Sequence, residues 1–219
     1  GAGVNRSAAA GASGTGIDVR KCPGRNGAAG AELAIGMLVG CDRRIVDASA
    51  DLRAGKWRKK EYGKARGLRG RTLGIVGAGM IGRAVALAAG GLGMRVAAWS
   101  RSLTPARAGE LELDYCESPL ALAKCSDAVS IHLAASPETR GFVDREFLQA
   151  MRQGAIFVNT SRGEVVDQDA LTEAVEQRGL RVGLDVFAAE PSGGDASFAE
   201  AALAPCITAT PHIRASPDH

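Results

Sequence analysis

The sequence has little that would point to a membrane, a disulfide framework or a metal centre. No run approaches the ~20 apolar residues needed to span a bilayer, so no membrane partner is expected. The start, Gly1-Ala2-Gly3-Val4, has no basic segment leading into an apolar stretch, and no secretory leader is expected. It also lacks an initiator Met, which points to a missing true N-terminus. The five cysteines (Cys22, Cys41, Cys116, Cys125 and Cys206) are odd in number and scattered, with no C-x-x-C pair. Disulfide frameworks and zinc sites need regular spacing. A reduced, cytoplasmic protein without a metal is the expectation. Histidine is scarce as well: only His132, His212 and His219 are present.

What is present describes a globular chain. Its 219 residues, 46% hydrophobic and 23% charged, fit one large domain or one domain plus a fragment, with a real core. The net charge of +3 is small but unevenly placed, because Arg53 to Arg71 holds nine Lys or Arg. Such a cluster could meet nucleic acid. Only Trp57 and Tyr62 accompany it as stacking aromatics, so it reads as a solvated helix end and loop, and no nucleic acid is expected.

Residues 1–25 are rich in Gly, Ala and Ser. From Asn26 onward Leu33, Met37, Leu38, Cys41, Ile45 and Leu52 recur at helical spacing, which predicts one long helix to about Arg53. Short apolar runs then predict strands at Thr72 to Val76, Arg95 to Trp99, Ala128 to Leu133, Ala155 to Asn159, Arg181 to Val186 and Cys206 to Thr210. Helices lie between them. Thr104-Pro105 and Ser118-Pro119 each supply an N-cap followed by Pro in the first turn, and Asp144 and Asp167 can cap two more. Gly154 and Gly179 sit where those two helices should end. Strands alternating with helices predict a doubly wound parallel α/β sheet of Rossmann type.

Gly77-x-Gly79-x-x-Gly82 follows the first strand and opens the helix from Met80, with Ile81 in its first turn. The first Gly allows a tight turn, the second lets backbone approach a pyrophosphate, and the third lets helix pack on strand. The helix start offers free amides to phosphate. NAD is the expected cofactor. The next strand ends in Ser100-Arg101 rather than the Asp or Glu that usually accepts from the ribose 2′-OH, so NADP stays open.

Four residues suited to chemistry fall at or just past strand ends. His132 and His212 can each move a proton near neutral pH. Glu190 could hold His212 as a carboxylate–imidazole pair. Arg162 offers a bidentate fork for a substrate carboxylate.

The blocks Thr160-Ser161-Arg162-Gly163, Asp185 to Pro191 and Thr210-Pro211-His212-Ile213 resemble, in order, three signatures of the D-2-hydroxyacid dehydrogenases. Leu52 to Trp57, Trp99 to Thr104 and Arg181 to Phe187 are most similar to the family's D-3-phosphoglycerate dehydrogenase branch. The resemblance implies that Arg162 binds the substrate carboxylate, His212 is the acid/base, and Glu190 orients it. It implies that Asp185 contacts the nicotinamide carboxamide, with Thr160, Ser161 and His132 beside the cofactor, and that Gly3, Val4 and Asn26 meet the substrate. It further implies a small 2-hydroxy acid as substrate, first 3-phosphoglycerate in serine synthesis. Glyoxylate or hydroxypyruvate reduction and a non-catalytic NAD(H)-sensing role are the alternatives. A homodimer through the Asn26 to Lys60 region is also implied. Residues 1–25 then read as a remnant of a substrate domain and hinge, 26–212 as the dinucleotide-binding domain, and 213–219 as the return toward the substrate domain. The chain departs from the family pattern at Arg214, Pro217 and residues 6–16.

Overall fold

The computed structural model describes residues 25–191 and 207–213. Gly3, Val4 and residues 6–16 lie outside these, as do Cys22, Cys206, Arg214, Pro217 and His219, and the same holds for the Asn26 side chain.

The chain opens with α1 (Arg25–Arg43), α2 (Ile45–Arg53) and the short α3 (Lys59–Tyr62). The single long helix expected here is broken at Arg44, whose backbone is left-handed (φ 51°, ψ 45°). That conformation costs a non-glycine residue free energy, and the Arg44 side chain offsets it. Its Nε donates to Asp47 at 3.0 Å, its Nη1 to Glu61 at 2.6 Å, and its guanidinium lies 5.0 Å from the Tyr62 ring centroid. Hydrophobic spacing carries no trace of such a break, because the apolar positions keep their period across it.

The alternating part follows: β1 (Thr72–Val76), α4 (Met80–Gly91), β2 (Arg95–Trp99), α5 (Pro105–Glu110), β3 (Asp114–Tyr115), α6 (Pro119–Cys125), β4 (Ala128–Ile131), α7 (Arg145–Ala150) and β5 (Ile156–Asn159). A 3-10 turn (Gly163–Val165), α8 (Gln168–Arg178), β6 (Arg181–Leu184) and β7 (Ile207–Ala209) complete it. All four anticipated N-caps form: the side chains of Thr104, Ser118, Asp144 and Asp167 each accept from the backbone amide three residues on. Gly179 ends α8 in a left-handed conformation, as expected. Gly154 does not end α7, which stops at Ala150. Its amide instead donates to the Arg178 carbonyl at 2.9 Å, in the turn before β5. The two-residue β3 is too short to show in the sequence pattern.

The strands form one parallel sheet in the order β3-β2-β1-β4-β5-β6-β7. Leu73 and Ile75 of β1 face a core shared with Met37 and Leu38 of α1, Val85 of α4 and Ala108 of α5. Val76, Val129 and Phe157 face the opposite core, with Leu122 of α6, Phe147 of α7 and Leu171 of α8. Helices thus cover both faces, which is why these strands are apolar throughout. The order of strands across the sheet reverses between β1 and β4, and such a switch point leaves a crevice at the carboxyl ends of the strands.

The amino-terminal edge is closed by polar bonds. Buried Asp42 pairs with Arg71 at 2.8 Å and accepts from the Gly67 amide at 3.0 Å. Asp127 accepts from the Thr72 amide at 2.9 Å and from Arg152 at 2.8 Å. Among the described residues no helix is long and apolar enough to cross a membrane, and no three metal-ligating side chains cluster.

Candidate active site

The glycine turn forms the floor of the switch-point crevice. Gly77 has φ 100°, a left-handed value suited to glycine, and its amide donates to the Trp99 carbonyl at 2.8 Å. A Cβ there would lie 2.6 Å from the His132 carbonyl oxygen, and one on Gly82 would overlap the Gly77 carbonyl. Those two glycines are required by packing within the chain. Gly79 differs, because a Cβ on it would meet nothing within 4 Å. Its backbone faces open space at the start of α4, where no side chain caps the helix. A bare backbone beside free helix amides fits a dinucleotide pyrophosphate.

A cavity of about 470 Å³ adjoins this turn, lined by Gly79, Met80, Ile81, His132, Leu133, Ala134, Ala135, Ser161 and Arg162. His132 extends from the end of β4, and its Nε2 lies 2.9 Å from the Ser130 hydroxyl. At the end of β2, Ser100 is half-buried and Arg101 is exposed. The Glu138 carboxyl is held below the usual carboxylate range, first by the Ser136 hydroxyl and with a smaller contribution from Arg101.

Asn159 ends β5 and fixes the turn that carries Arg162. Its Oδ1 accepts from the Ser161 amide at 2.9 Å and the Ser161 hydroxyl at 2.8 Å, while its Nδ2 donates to the Arg162 carbonyl at 2.9 Å. The Arg162 Nη1 donates to the Ser161 carbonyl at 2.7 Å. Thr160 is fully buried behind this turn and does not line the cavity. Gly163 approaches the Phe187 backbone so closely that any Cβ would overlap its carbonyl. The Arg162 turn and the loop after β6 are thereby held side by side.

That loop carries Glu190. One of its oxygens accepts from the Phe187 amide at 3.1 Å, and the other lies 2.7 Å from His212 Nδ1. Both side chains are about one-third exposed, so the pair orients the imidazole more than it stabilises the fold. His212 itself is left-handed (φ 53°). Buried Asp185 braces both of its flanks: Oδ1 accepts from the Thr210 hydroxyl at 2.6 Å and from the Ile213 amide at 2.8 Å. The expected carboxylate–imidazole contact is thus present, while neither partner lines the cavity that holds Arg162.

Sequence reasoning misses Asn159 and Ser130, and it reads Asp185 without its brace on the His212 loop. A polar residue closing an apolar strand is the one available signal, and Asn159 carries it.

The chain matches the family described as D-isomer specific 2-hydroxyacid dehydrogenase, NAD binding domain, over residues 35–214. The glyoxylate reductase of Thermococcus litoralis is 39% identical over 206 residues, spanning 90% of this chain and 62% of that protein. The D-3-phosphoglycerate dehydrogenase of Mycobacterium leprae is 37% identical over 202 residues, spanning 92% of this chain and 37% of that protein. Among solved structures, the TT0316 protein from Thermus thermophilus superposes with a TM-score of 0.83 at 37% identity, covering 97% of this chain and 66% of that one. The chain therefore spans less than two thirds of the length of both curated relatives. It belongs to the D-isomer specific 2-hydroxyacid dehydrogenases and carries that family's NAD-binding domain.

Proposed function

We propose that the protein transfers hydride between a 2-hydroxy acid and NAD, with Arg162, Glu190 and His212 as its catalytic residues. The 2.7 Å contact between Glu190 and His212 Nδ1 carries this reading. With Nδ1 held, Nε2 is the atom that takes the substrate hydroxyl proton, and Glu190 offsets the charge that the imidazole then gains. Arg162 binds the substrate carboxylate and polarises the reacting carbon–oxygen bond. Bound NAD supplies the hydride acceptor. Gly77, Gly79, Met80, Ile81 and Gly82 would hold its pyrophosphate, Ser100 and Arg101 its adenosine ribose, and His132, Ser161 and Asp185 its nicotinamide end, with Thr160 buried behind them. Gly3, Val4 and Asn26 would meet the substrate. Residues 26–212 form the dinucleotide-binding domain in this reading, between a substrate-domain remnant (1–25) and a returning segment (213–219), in a cytoplasmic homodimer.

The leading substrate is 3-phosphoglycerate, which would place the protein in serine synthesis. The 39% identity to a glyoxylate reductase favours a second reading, reduction of glyoxylate or hydroxypyruvate. The test is turnover of reduced and oxidised NAD and NADP, followed by nicotinamide absorbance, with 3-phosphoglycerate, glyoxylate and hydroxypyruvate. We expect NAD-linked turnover that falls by about 10²–10⁴-fold in His212→Asn, with NADH affinity little changed. NADH binding without turnover of any hydroxy acid would leave the NAD(H)-sensing alternative standing. Equal loss of NADH binding in His212→Asn would make that residue structural.

A further inference from the structure

We propose that Cys116 and Cys125 form a thiol–disulfide exchange site that accepts two electrons' worth of oxidation from a small organic disulfide of the glutathione type. Cys116 follows β3, and Cys125 is the last residue of α6. Their sulfurs lie 3.9 Å apart, although nothing in the hydride-transfer site requires them to meet. A disulfide needs ~2.05 Å between sulfurs, so the two side chains must turn toward each other, and Cys125 must give up the 3.3 Å bond its Sγ donates to the Leu122 carbonyl. A cavity of about 570 Å³ borders both residues and gives a small oxidant access to them.

The two thiols differ in a way that orders the reaction. Cys125 is half-buried, while Cys116 is buried. Burial, with the neighbouring Cys125 sulfur, pushes the Cys116 thiol up to about 12. Thiolate is the attacking species, so Cys125 attacks first. Its thiolate forms a bond to one sulfur of the small disulfide, the sulfur–sulfur bond breaks, and one small thiol leaves after taking a proton. The Cys125 sulfur in the mixed disulfide is neutral, while burial, the larger cause, still holds the Cys116 thiol up, so the second step is the slower one. Cys116 then loses its proton and attacks the Cys125 sulfur, releasing the second small thiol. In sum, two protein thiols are oxidised to one disulfide and one small disulfide is reduced to two thiols. Proximity makes the second step intramolecular. The product ties the end of β3, at the rim of the sheet, to the end of α6.

The experiment is incubation of the full chain with oxidised glutathione, followed by peptide mapping without reduction. We expect a peptide joining Cys116 to Cys125, a loss of two titratable thiols, and full recovery with dithiothreitol. In Cys116→Ser the reaction should stop with one glutathione on Cys125, and in Cys125→Ser neither product should form. Glutathione persisting on Cys125 of the unsubstituted chain, a bridge to any other cysteine, or five unchanged thiols would each overturn the proposal. Mapping the unsubstituted chain keeps the test valid if either variant folds poorly.

Discussion

At the residue scale, the three glycines of the turn make separable demands. A Cβ on Gly82 would overlap the Gly77 carbonyl, whereas one on Gly79 would meet nothing within 4 Å, at a backbone φ of −74° open to any residue. Gly82→Ala should therefore cost about 1–3 kcal/mol of stability through overpacking, read as a lower midpoint in urea. Gly79→Ala should leave that midpoint unchanged and weaken NADH binding, measured by nicotinamide fluorescence. Equal loss of stability in the two variants would mean that Gly79 serves packing after all. The motif already assigns the three glycines different roles, and the packed structure bears out that division, with only the middle one left open to a ligand. The candidate site was legible to a similar degree. Arg162, Glu190 and His212 stood out because each follows a strand. The braces by Asn159 and Asp185 did not, because they join backbone and side-chain atoms whose meeting depends on the finished sheet.

At the element scale, caps and strands were readable because each depends on a few adjacent residues. The Thr-Pro and Ser-Pro pairs set the starts of α5 and α6, and Asp144 and Asp167 those of α7 and α8. The Arg44 break was hidden because its partners Glu61 and Tyr62 come from α3. The bonds at the amino-terminal edge should dominate how these elements hold together. Asp42→Ala would leave Arg71 buried without its carboxylate, a loss of about 3–5 kcal/mol, measurable by equilibrium denaturation. A loss under about 1 kcal/mol would show that Arg71 finds water instead. Asp127 makes a different prediction. Burial alone would raise its carboxyl, but the Thr72 amide and Arg152 outweigh that and leave it lowered. A lowered folded value means stability present above the ordinary carboxylate range of about 3.9 and lost as pH falls through the folded value. The advantage of the native chain over Asp127→Asn should be constant above about pH 5 and shrink below about pH 4. An advantage that grew on acidification would contradict this sign.

At the scale of the whole molecule, the apolar side chains of Ile45, Val46, Leu52 and Trp57 are exposed in and just after α2. The proposed homodimer would cover them. Light scattering should give twice the monomer mass, and Leu52→Glu should reduce it to one; a monomer in both cases would remove the dimer from the reading. The sheet order has a consequence of its own. β7, only three residues long, is the terminal strand, and His212 comes three residues after it. Free energies of local opening rise from the periphery of a fold to its centre. The imidazole therefore sits beside an edge strand, where resistance to fraying is low, while the glycine turn follows a central strand. Mild denaturation should thus uncouple the two halves of the site, leaving a protein that still grips its dinucleotide after it has ceased to turn over.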